Sequence, residues 1–301
     1  MKKSNTRICF IVNPVADRKR SVRYIDWIKR EAKKQWHHYE INITRKNQNV
    51  AELAKSKSSL FDVIVACGGD GTINQVVNGI AGTDTILGVL PIGSGNDFVK
   101  SLKLPDSLAE CFQILYTEYT SEIDLIHYKG DAQGWTANTI GIGLDGLANY
   151  YAGTFSFLRG HLIYVAGALK AAFKFRGREM MLNVDGKSYD DDYLMVTACN
   201  GKWEGGSFFL APEAELNDGI FHLFLIKKLP LPTVLSYLPL LRYGPKKGMK
   251  GIETIKSKHV KVQCTEGLAV HSDGEHLGKE IKELEINIIP AALKVISPGA
   301  Y

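Results

Sequence analysis

The sequence predicts an α/β protein with two domains: a doubly wound parallel sheet followed by a mainly antiparallel β-sandwich. Near the N-terminus, apolar runs alternate with helical segments in the order β-α-β-α-β-α-β, which favours a parallel, right-handed sheet. After residue 128 the chain consists mostly of short apolar strands bounded by turns, a pattern typical of antiparallel sandwiches. A length of 301 residues is sufficient for both domains.

The first domain can be followed element by element up to its central strand. The predicted elements are a strand at Arg7 to Val12, an amphipathic helix at Ser21 to Gln35, a strand at Tyr39 to Thr44, a short helix at Val50 to Lys57, and a strand that begins at Phe61. We therefore expect residues 1–127 to form the α/β domain.

Composition indicates an ordinary globular protein with a small excess of positive charge. Hydrophobic residues make up 45% and charged residues 23% of the chain, and the formal net charge is +5. This charge favours anionic partners such as nucleotide phosphates or an acidic membrane surface. The five cysteines are widely spaced with no CxxC pair, which favours buried free thiols in a reducing cytosol. We expect a cytoplasmic protein.

The stretch FDVIVACGGDGT at 61–72 predicts a buried strand that ends in a phosphate-binding turn. Gly68, Gly69 and Gly71 have no Cβ, so the backbone can turn tightly and approach a ligand, and the next helix directs its first amides there. Asp70 would repel phosphates unless a divalent cation stood between them. The turn therefore predicts a nucleotide with Mg²⁺.

A second glycine-rich turn follows the next apolar run, TILGVLPIG. It contains Gly93, Ser94, Asn96 and Asp97 and leads into a short helical segment, FVKSL. One GGDG alone is more often only a turn. Two successive strand, turn and helix units place both loops at the carboxyl ends of neighbouring strands, where open α/β sheets bind ligands.

The motifs GGDGT at 68–72 and GSGNDF at 93–98 resemble the catalytic domain of diacylglycerol kinases. Sphingosine kinases, ceramide kinases and soluble bacterial lipid kinases are relatives of that family. GGDGT alone would fit NAD kinases or phosphofructokinases, and the second motif makes the distinction. The resemblance implies ATP-dependent, Mg²⁺-dependent transfer of the γ-phosphate to a lipid hydroxyl in a cleft between two domains. It also implies an acceptor domain at 128–289 and a tail, 290–301, that returns to the first domain.

The resemblance assigns nucleotide contacts to the loops of the first domain. The residues that match are Asn13, Gly68, Gly69, Gly71, Thr72, Gly93, Ser94 and Asn96. After Asn13-Pro14 the family continues with a Ser-Gly pair, whereas this chain has Ala16 and Asp17, so the phosphate contacts of that loop differ. A basic run, Arg18 to Arg20, follows and is interpreted as a solvated helix start.

The same resemblance implies the catalytic carboxylates. Asp273 lies in an Asp-Gly-Glu turn between two predicted strands and matches the residue proposed as the general base in the family. Glu275, in the same turn, is expected to support the site. By composition alone this turn would be an ordinary hairpin turn. Asp70 and Asp97 are expected to position the metal or the acceptor.

The resemblance further implies a Mg²⁺ site in the turn at 215–220. Asp218 keeps the second aspartate of the family's Asp-Asp-Gly turn, and Asn217 replaces the first. Its partners would be the backbone carbonyls of Glu215 and Ile220. The segment at 141–145, GIGLD, is also similar to the family's Gly-x-Gly-Phe-Asp, and no chemistry is assigned to it.

Two apolar segments in the second domain are followed by basic residues. Thr154 to Phe175 is interpreted as a helix packed in the core, with an acyl-chain wall as the alternative, because Arg159 and its neighbours make it a poor membrane span. Leu229 to Lys250 combines an apolar run with Arg242 and three lysines, which favours peripheral contact with an anionic membrane.

Two other functions remain open from the sequence. One is a kinase of NAD or another small molecule that uses the same GGDGT loop. The other is a nucleotide-binding membrane adaptor that has lost catalysis, consistent with Asn217 and the altered Asn13-Pro14 loop. The expected partners are a lipid substrate and a membrane surface, with no nucleic acid. The sequence leaves homodimerisation and the identity of the lipid open: diacylglycerol, phosphatidylglycerol and long-chain bases all offer a hydroxyl.

Overall fold

The computed structural model describes residues 3–16, 22–155 and 161–299. The chain divides into two compact units, Met1–Ile123 with Ala291–Tyr301, and Asp124–Pro290. Several residues discussed above lie outside the described residues: Asp17, the basic residues 18–20, the helix start at Ser21, and Arg159.

The first unit contains the alternating strands and helices that the sequence predicts. Its strands are β1 (Ser4–Val12), β2 (Trp36–Ile43), β3 (Val63–Gly68) and β4 (Ile86–Pro91), and its helices are α1 (Val22–Gln35), α2 (Val50–Ser58), α3 (Asp70–Ile80), α4 (Asp97–Ser101) and α5 (Leu108–Thr117). The strands pair in the order β2-β1-β3-β4, all parallel. Residues 291–301 also belong to this unit, where Val295 pairs in parallel with Leu87 of β4.

Strand β3 is buried along its whole length, which explains its continuous apolar sequence. Beside the sheet, Phe10, Trp36 and Phe112 form an aromatic cluster, with ring centroids 5.5 to 6.1 Å apart. The core of this unit fixes β1 and β3 side by side. Their carboxyl ends therefore present the Asn13 loop and the GGDGT loop at the same edge of the sheet.

The second unit is rich in antiparallel strands, as the sequence predicts. Its strands are β5 (Thr120–Gly130, which begins in the first unit), β6 (Gly134–Thr136), β7 (Thr139–Gly143), β8 (Arg178–Val184), β9 (Lys187–Ser188), β10 (Asp191–Cys199), β11 (Trp203–Glu204), β12 (Phe208–Phe209), β13 (Phe221–Lys227), β14 (Ile252–Ser257), β15 (His259–Ser272) and β16 (Glu275–Ile296, which ends in the first unit). Its helices are α6 (Leu144–Ala152), α7 (His161–Lys174), α8 (Leu231–Tyr237) and a 3-10 helix (Leu240–Tyr243).

The main sheet of this unit has the order β14-β13-β10-β7-β15-β16, with antiparallel neighbours throughout. Strand β13 is buried on both faces. Leu223 and Leu225 belong to the core among the strands, whereas Phe224 and Ile226 belong to a second core that includes the helices. The helices therefore cover an apolar face of the sheet.

Helix α6 is absent from the prediction, and its glycine explains why. Gly146 interrupts the helical pattern, but a Cβ there would lie 2.2 Å from the backbone oxygen of Ala269 on β15. The glycine permits close contact between helix and strand. A second close approach occurs where Gly167 of α7 meets the backbone of Ala148. Helices α6 and α7 thus pack tightly together.

All five cysteines are free and buried, which confirms the prediction of unpaired thiols. Burial raises the pKa of the Cys67 thiol, at the end of β3, well above its ordinary value. Among the described residues, no helix has both the length and the apolar character needed to cross a membrane.

We expect Gly146→Ala to destabilise the protein by about 1–3 kcal/mol, because the new methyl group would overlap the backbone of β15. Gly153→Ala is the matched control, since it follows the same helix and its Cβ would meet only ordinary contacts. Urea unfolding of both variants measures the difference. Equal stabilities would contradict the proposed contact.

Candidate active site

The GGDGT loop connects β3 directly to α3 and is held by its own side chains. A Cβ on Gly68 would lie 2.3 Å from the hydroxyl oxygen of Thr72, so only glycine fits there. Asn13 Nδ2 donates a hydrogen bond to the same hydroxyl over 3.0 Å. This hydrogen bond joins the Asn13 loop to the GGDGT loop, although the sequence after Asn13-Pro14 differs from that of the family.

The backbone of the second glycine-rich loop, at 93–97, packs directly against the backbone of the GGDGT loop. A Cβ on Gly93 would lie 2.3 Å from Cα of Gly69, and the amide of Ile92 donates to the carbonyl of Gly68 over 2.8 Å. Asn96 has a left-handed backbone, with φ of 54°. Its Nδ2 donates to the carbonyl of Gly93 over 3.2 Å, which closes the turn.

The two aspartates of these loops contact helix α4. Asp70 Oδ1 accepts the amide hydrogen of Phe98 over 3.3 Å, and Asp97 Oδ1 pairs with Lys100 over 3.0 Å. Asp70 thus links the first loop to the second. Ser94 lies exposed between them.

This edge of the first unit has the chemistry of a nucleotide phosphate site. Gly69 precedes α3 and no side chain caps that helix terminus, so its amides suit an anion. The contact between Gly69 and Gly93 keeps side chains away from the backbone. Asp70 adds a carboxylate of the kind that Mg²⁺ prefers. These residues fit both ATP phosphates and the metal.

In the second unit, Asp273 and Gly274 form the tight turn between β15 and β16, with φ of 47° and 85°. The carboxylate of Asp273 is buried and accepts three backbone amides, those of residues 137, 138 and 139, over 2.9 to 3.0 Å. These bonds hold the segment between β6 and β7. Asp273 therefore stabilises this part of the fold, in addition to the role of general base that is expected from the sequence.

Glu275 begins β16 and is half-buried. Its neighbours in the turn are fixed on both sides: the amide of Gly274 donates to His271 Nδ1 over 3.3 Å, and Asn149 Nδ2 donates to the Gly274 carbonyl over 2.7 Å. Nearby, burial raises the pKa of Tyr128 to about 12. Its phenol therefore stays protonated at neutral pH.

The predicted metal turn is exposed and separate from any carboxylate cluster. Asp218 Oδ1 accepts the amide hydrogen of Ile220 over 3.2 Å, and Glu215 pairs with Lys202 over 3.4 Å. Over the ranges that the structure describes, Asp218 belongs to no group of three acidic, histidine or cysteine ligands. A metal there would use the carboxylate of Asp218 and backbone carbonyls of the turn, with a second, buried acid next to it.

Asp124 is a buried acid beside this turn that sequence reasoning missed. It is 2% exposed, and its Oδ2 accepts the amide hydrogen of Gly219 over 2.7 Å. Asn200 donates to its carbonyl over 2.9 Å. The available signal was an aspartate inside the apolar strand sequence EIDLIH.

A second missed group lies at an apolar pocket of the same unit. Asp145, Glu204 and His271 bring one ligand atom each to within 4.8 Å of one another. Asp145 and Glu204 line the pocket, whose cavity volume is about 50 Å³. Most other lining residues are apolar and come from α6, α7, β10, β12 and the 3-10 helix. The similarity at 141–145 includes Asp145 but assigns it no chemistry, and no local pattern joins it to Glu204 and His271.

Two family models match the chain: the diacylglycerol kinase catalytic domain over residues 7–128, and the YegS C-terminal NAD kinase beta sandwich-like domain over residues 138–297. Diacylglycerol kinase of Bacillus subtilis is 31% identical over 222 residues, which is 72% of this chain and 72% of that protein. The chain belongs to the diacylglycerol kinase catalytic-domain family. It is therefore a lipid kinase, as the two glycine-rich motifs predict.

A further relative and two solved structures are similar to the chain. Diacylglycerol kinase of Mycobacterium tuberculosis is 27% identical over 250 residues, covering 82% of this chain and 80% of that protein. The crystal structure of a diacylglycerol kinase from Bacillus anthracis matches with a TM-score of 0.75 at 21% identity, over 98% of both chains. An NAD kinase from Archaeoglobus fulgidus in complex with ATP matches with a TM-score of 0.54 at 15% identity, over 96% of this chain and 93% of that one. These likenesses confirm the predicted fold.

We expect Gly93→Ala to weaken nucleotide binding by at least tenfold, because a methyl group there must separate the two loops. Gly299→Ala is the control: it lies in the same unit and its Cβ would meet nothing within 4 Å. Titration with a fluorescent ATP analogue measures both. Unchanged affinity of Gly93→Ala would exclude this contact from the nucleotide site.

Proposed function

We propose that this lipid kinase transfers the γ-phosphate of ATP, with Mg²⁺, to a hydroxyl group of diacylglycerol or a closely similar lipid. The observation that carries the proposal is the position of Asn149. This side chain lines the apolar pocket and also donates to Gly274 in the Asp-Gly-Glu turn. A pocket suited to an acyl chain is therefore directly connected to a carboxylate-bearing turn. The names of the Bacillus and Mycobacterium relatives support the same acceptor.

ATP would be held by the two loops of the first unit. The amides at the start of α3 and the exposed Ser94 would contact its phosphates, while Thr72 and Asn96 fix the shapes of the loops. Asp70 would hold Mg²⁺, which supplies positive charge to the phosphate oxygens when bound. Asp218, with the carbonyls of Glu215 and Ile220, remains a candidate for a second, structural metal site.

We assign the proton acceptor to Glu275 rather than Asp273. The Asp273 carboxylate is buried and accepts hydrogen bonds from three backbone amides, whereas Glu275 is half-buried at the start of β16. In the reaction the acceptor hydroxyl would give its proton to the Glu275 carboxylate as its oxygen bonds to the γ-phosphorus, and the bond from that phosphorus to ADP would break. Asp273 would keep the turn in place.

The surface around the pocket supports peripheral binding to an anionic membrane. Helix α7 packs against α8, so the two predicted apolar and basic segments lie together. Their apolar side chains Leu162, Phe173 and Tyr243 are 52%, 57% and 78% exposed. Among the described residues of these segments, the exposed basic ones are Lys170, Lys174, Arg242, Lys246, Lys247 and Lys250. This combination suits a bilayer that contains anionic lipid.

The deciding experiment is transfer of labelled γ-phosphate from Mg-ATP to lipids in mixed micelles, with NAD in a parallel reaction. We expect labelled diacylglycerol and unlabelled NAD. Glu275→Gln should lower kcat by about 10²–10⁴-fold, since a general base is lost, while its Tm stays close to that of the unchanged protein.

Asp273→Asn is compared with Glu275→Gln to distinguish the two candidate proton acceptors. Its amide group would face a backbone N–H, so we expect a loss of about 1–3 kcal/mol in stability. If instead Asp273→Asn kept its Tm and lost turnover, while Glu275→Gln remained active, Asp273 would be the base. Label on NAD alone would indicate a small-molecule kinase, and no label despite ATP binding would indicate an inactive adaptor.

Sedimentation with vesicles tests the membrane surface. We expect the protein to bind phosphatidylcholine vesicles containing phosphatidylglycerol, and the double variant Lys246→Glu, Lys247→Glu to bind at least tenfold more weakly, at about 1 kcal/mol per lysine. The control double variant, Lys33→Glu with Lys187→Glu, changes exposed lysines elsewhere by the same charge. Equal binding by both double variants would exclude this surface.

A further inference from the structure

The carboxyl-terminal end of α6 contacts the Asp-Gly-Glu turn on both sides of Glu275. Before Glu275, Asn149 Nδ2 donates a hydrogen bond to the carbonyl of Gly274 over 2.7 Å. After Glu275, the ring of Tyr150 lies against the ring of His276, with centroids 5.2 Å apart. Two successive residues of one helix therefore contact the two sequence neighbours of the proposed proton acceptor.

Tyr150 makes a second contact with the strand that begins at Glu275. Lys279 Nζ, also on β16, lies 4.2 Å from the centroid of the Tyr150 ring. A cation placed over the face of an aromatic ring is attracted by the negative charge of that face. His276 and Lys279 are exposed, whereas Tyr150 is half-buried. The Tyr150 ring therefore joins the first residues of β16 to the helix.

Helix α6 is itself fixed to the strand that enters the turn. Gly146 brings the helix against the backbone of Ala269 on β15, and Gly167 of α7 approaches the backbone of Ala148 from the other helix. Elements packed this closely have low compressibility and move little relative to one another. The contact with β15 lies about one helical turn before Asn149. The end of α6 is thus a rigid support for the turn.

A separate set of contacts holds the part of the turn that precedes Glu275. The carboxylate of Asp273 accepts the amide hydrogens of residues 137–139. Ser272, which pairs with Glu275 across the turn, shares a hydrogen bond with the hydroxyl group of Thr136. These contacts act on residues before Glu275 in the sequence. The contacts of α6 also act on the strand after it.

We infer that Asn149 and Tyr150 are positioning residues for the proton acceptor, Glu275. The inference rests on the proposed function and extends it to the residues that orient the base. A general base must lie within hydrogen-bond distance of the hydroxyl group that it deprotonates. A displacement of about 1 Å can lower a rate about 10²-fold. Loss of either contact would therefore reduce turnover while Glu275 itself remains present.

The position of α6 gives this support a further consequence for the acceptor. Leu144, Ala148 and Asn149 of the same helix line the apolar pocket. Under the proposed function the pocket holds the lipid, so one rigid element bounds the lipid and also holds the turn that carries its base. The distance between the bound hydroxyl group and Glu275 is then set within the second unit.

The test measures transfer of labelled phosphate from Mg-ATP to 1,2-dioleoylglycerol in mixed micelles. We expect Asn149→Ala to lower kcat about 10–100-fold, with KM for ATP changed by less than about threefold. Tyr150→Leu should have the same effect, because the ring is lost. Tyr150→Phe keeps the ring and should retain kcat within about threefold. Thr154→Ala, at an exposed residue just beyond the same helix, is the control.

Glu275→Gln separates positioning of the base from a general loss of structure. If Asn149 acts through Glu275, Asn149→Ala should lower the residual kcat of Glu275→Gln by less than about threefold, because residues that act as a unit have non-additive effects. An equal loss of about 10–100-fold in both backgrounds would indicate a purely structural role and overturn the inference. All variants are assayed well below the lowest Tm, so that unfolded protein does not contribute to the loss.

The outcomes distinguish this inference from the proposed function. If Glu275→Gln is inactive but Asn149→Ala and Tyr150→Leu keep the kcat of the unchanged enzyme, only the inference is wrong. If Glu275→Gln keeps full turnover, the assignment of the base is wrong and the inference is overturned with it. If the unchanged enzyme labels no lipid, the proposed function itself fails.

Discussion

The carboxylate of Asp273 binds three successive backbone amides, and the polar groups of the second unit are arranged around that contact. It joins the turn after β15 to the segment before β7, so strands distant in sequence are fixed together. From the same turn, Gly274 contacts both His271 and Asn149. The turn that carries Glu275 is thereby joined to Asn149 on the pocket wall and to the buried His271. Hydrogen bonds to a charged acceptor are among the stronger ones available for this purpose.

In the first unit, the loops of the site are positioned mainly by backbone contacts rather than by a buried side chain. Gly68 makes room for Thr72 within the first loop, and Gly93 lets the second loop approach Gly69 to a distance that a Cβ on Gly93 would prevent. The resulting surface consists largely of amide groups and a helix terminus, which bind phosphate by shape and partial charge. Such a site suits a nucleotide, whose phosphates are the same whatever the acceptor. Under the proposed function, selectivity for the acceptor then comes from side chains elsewhere, and we place them in the second unit.

The difference between a site built from backbone and a site built from side chains explains what the sequence could predict. A site built from backbone depends on residues that are close in sequence: a buried strand, glycines and a helix occur within a dozen residues. GGDGT and GSGNDF could therefore be predicted as phosphate-binding loops at the same time as the strands and helices around them. Side-chain sites are encoded across the chain. Asp145, Glu204 and His271 lie on three elements, and Asp124 meets Gly219 almost a hundred residues later. Helix α6 was missed for a related reason, because Gly146 serves a contact with β15 that no local pattern contains.

The two roles in the Asp-Gly-Glu turn illustrate the limit of motifs. A motif identifies which residues occur together, but it does not say which of two carboxylates faces the substrate. The surroundings of each group differ: the Asp273 carboxylate is buried against three backbone amides, whereas Glu275 is half-buried. An acid bound in this way resists movement, whereas a base must meet a hydroxyl group that arrives with the lipid. The half-buried Glu275 at the first position of β16 is compatible with that requirement. Under the proposed assignment, the turn combines a fixed support, Asp273, with the proton acceptor, Glu275.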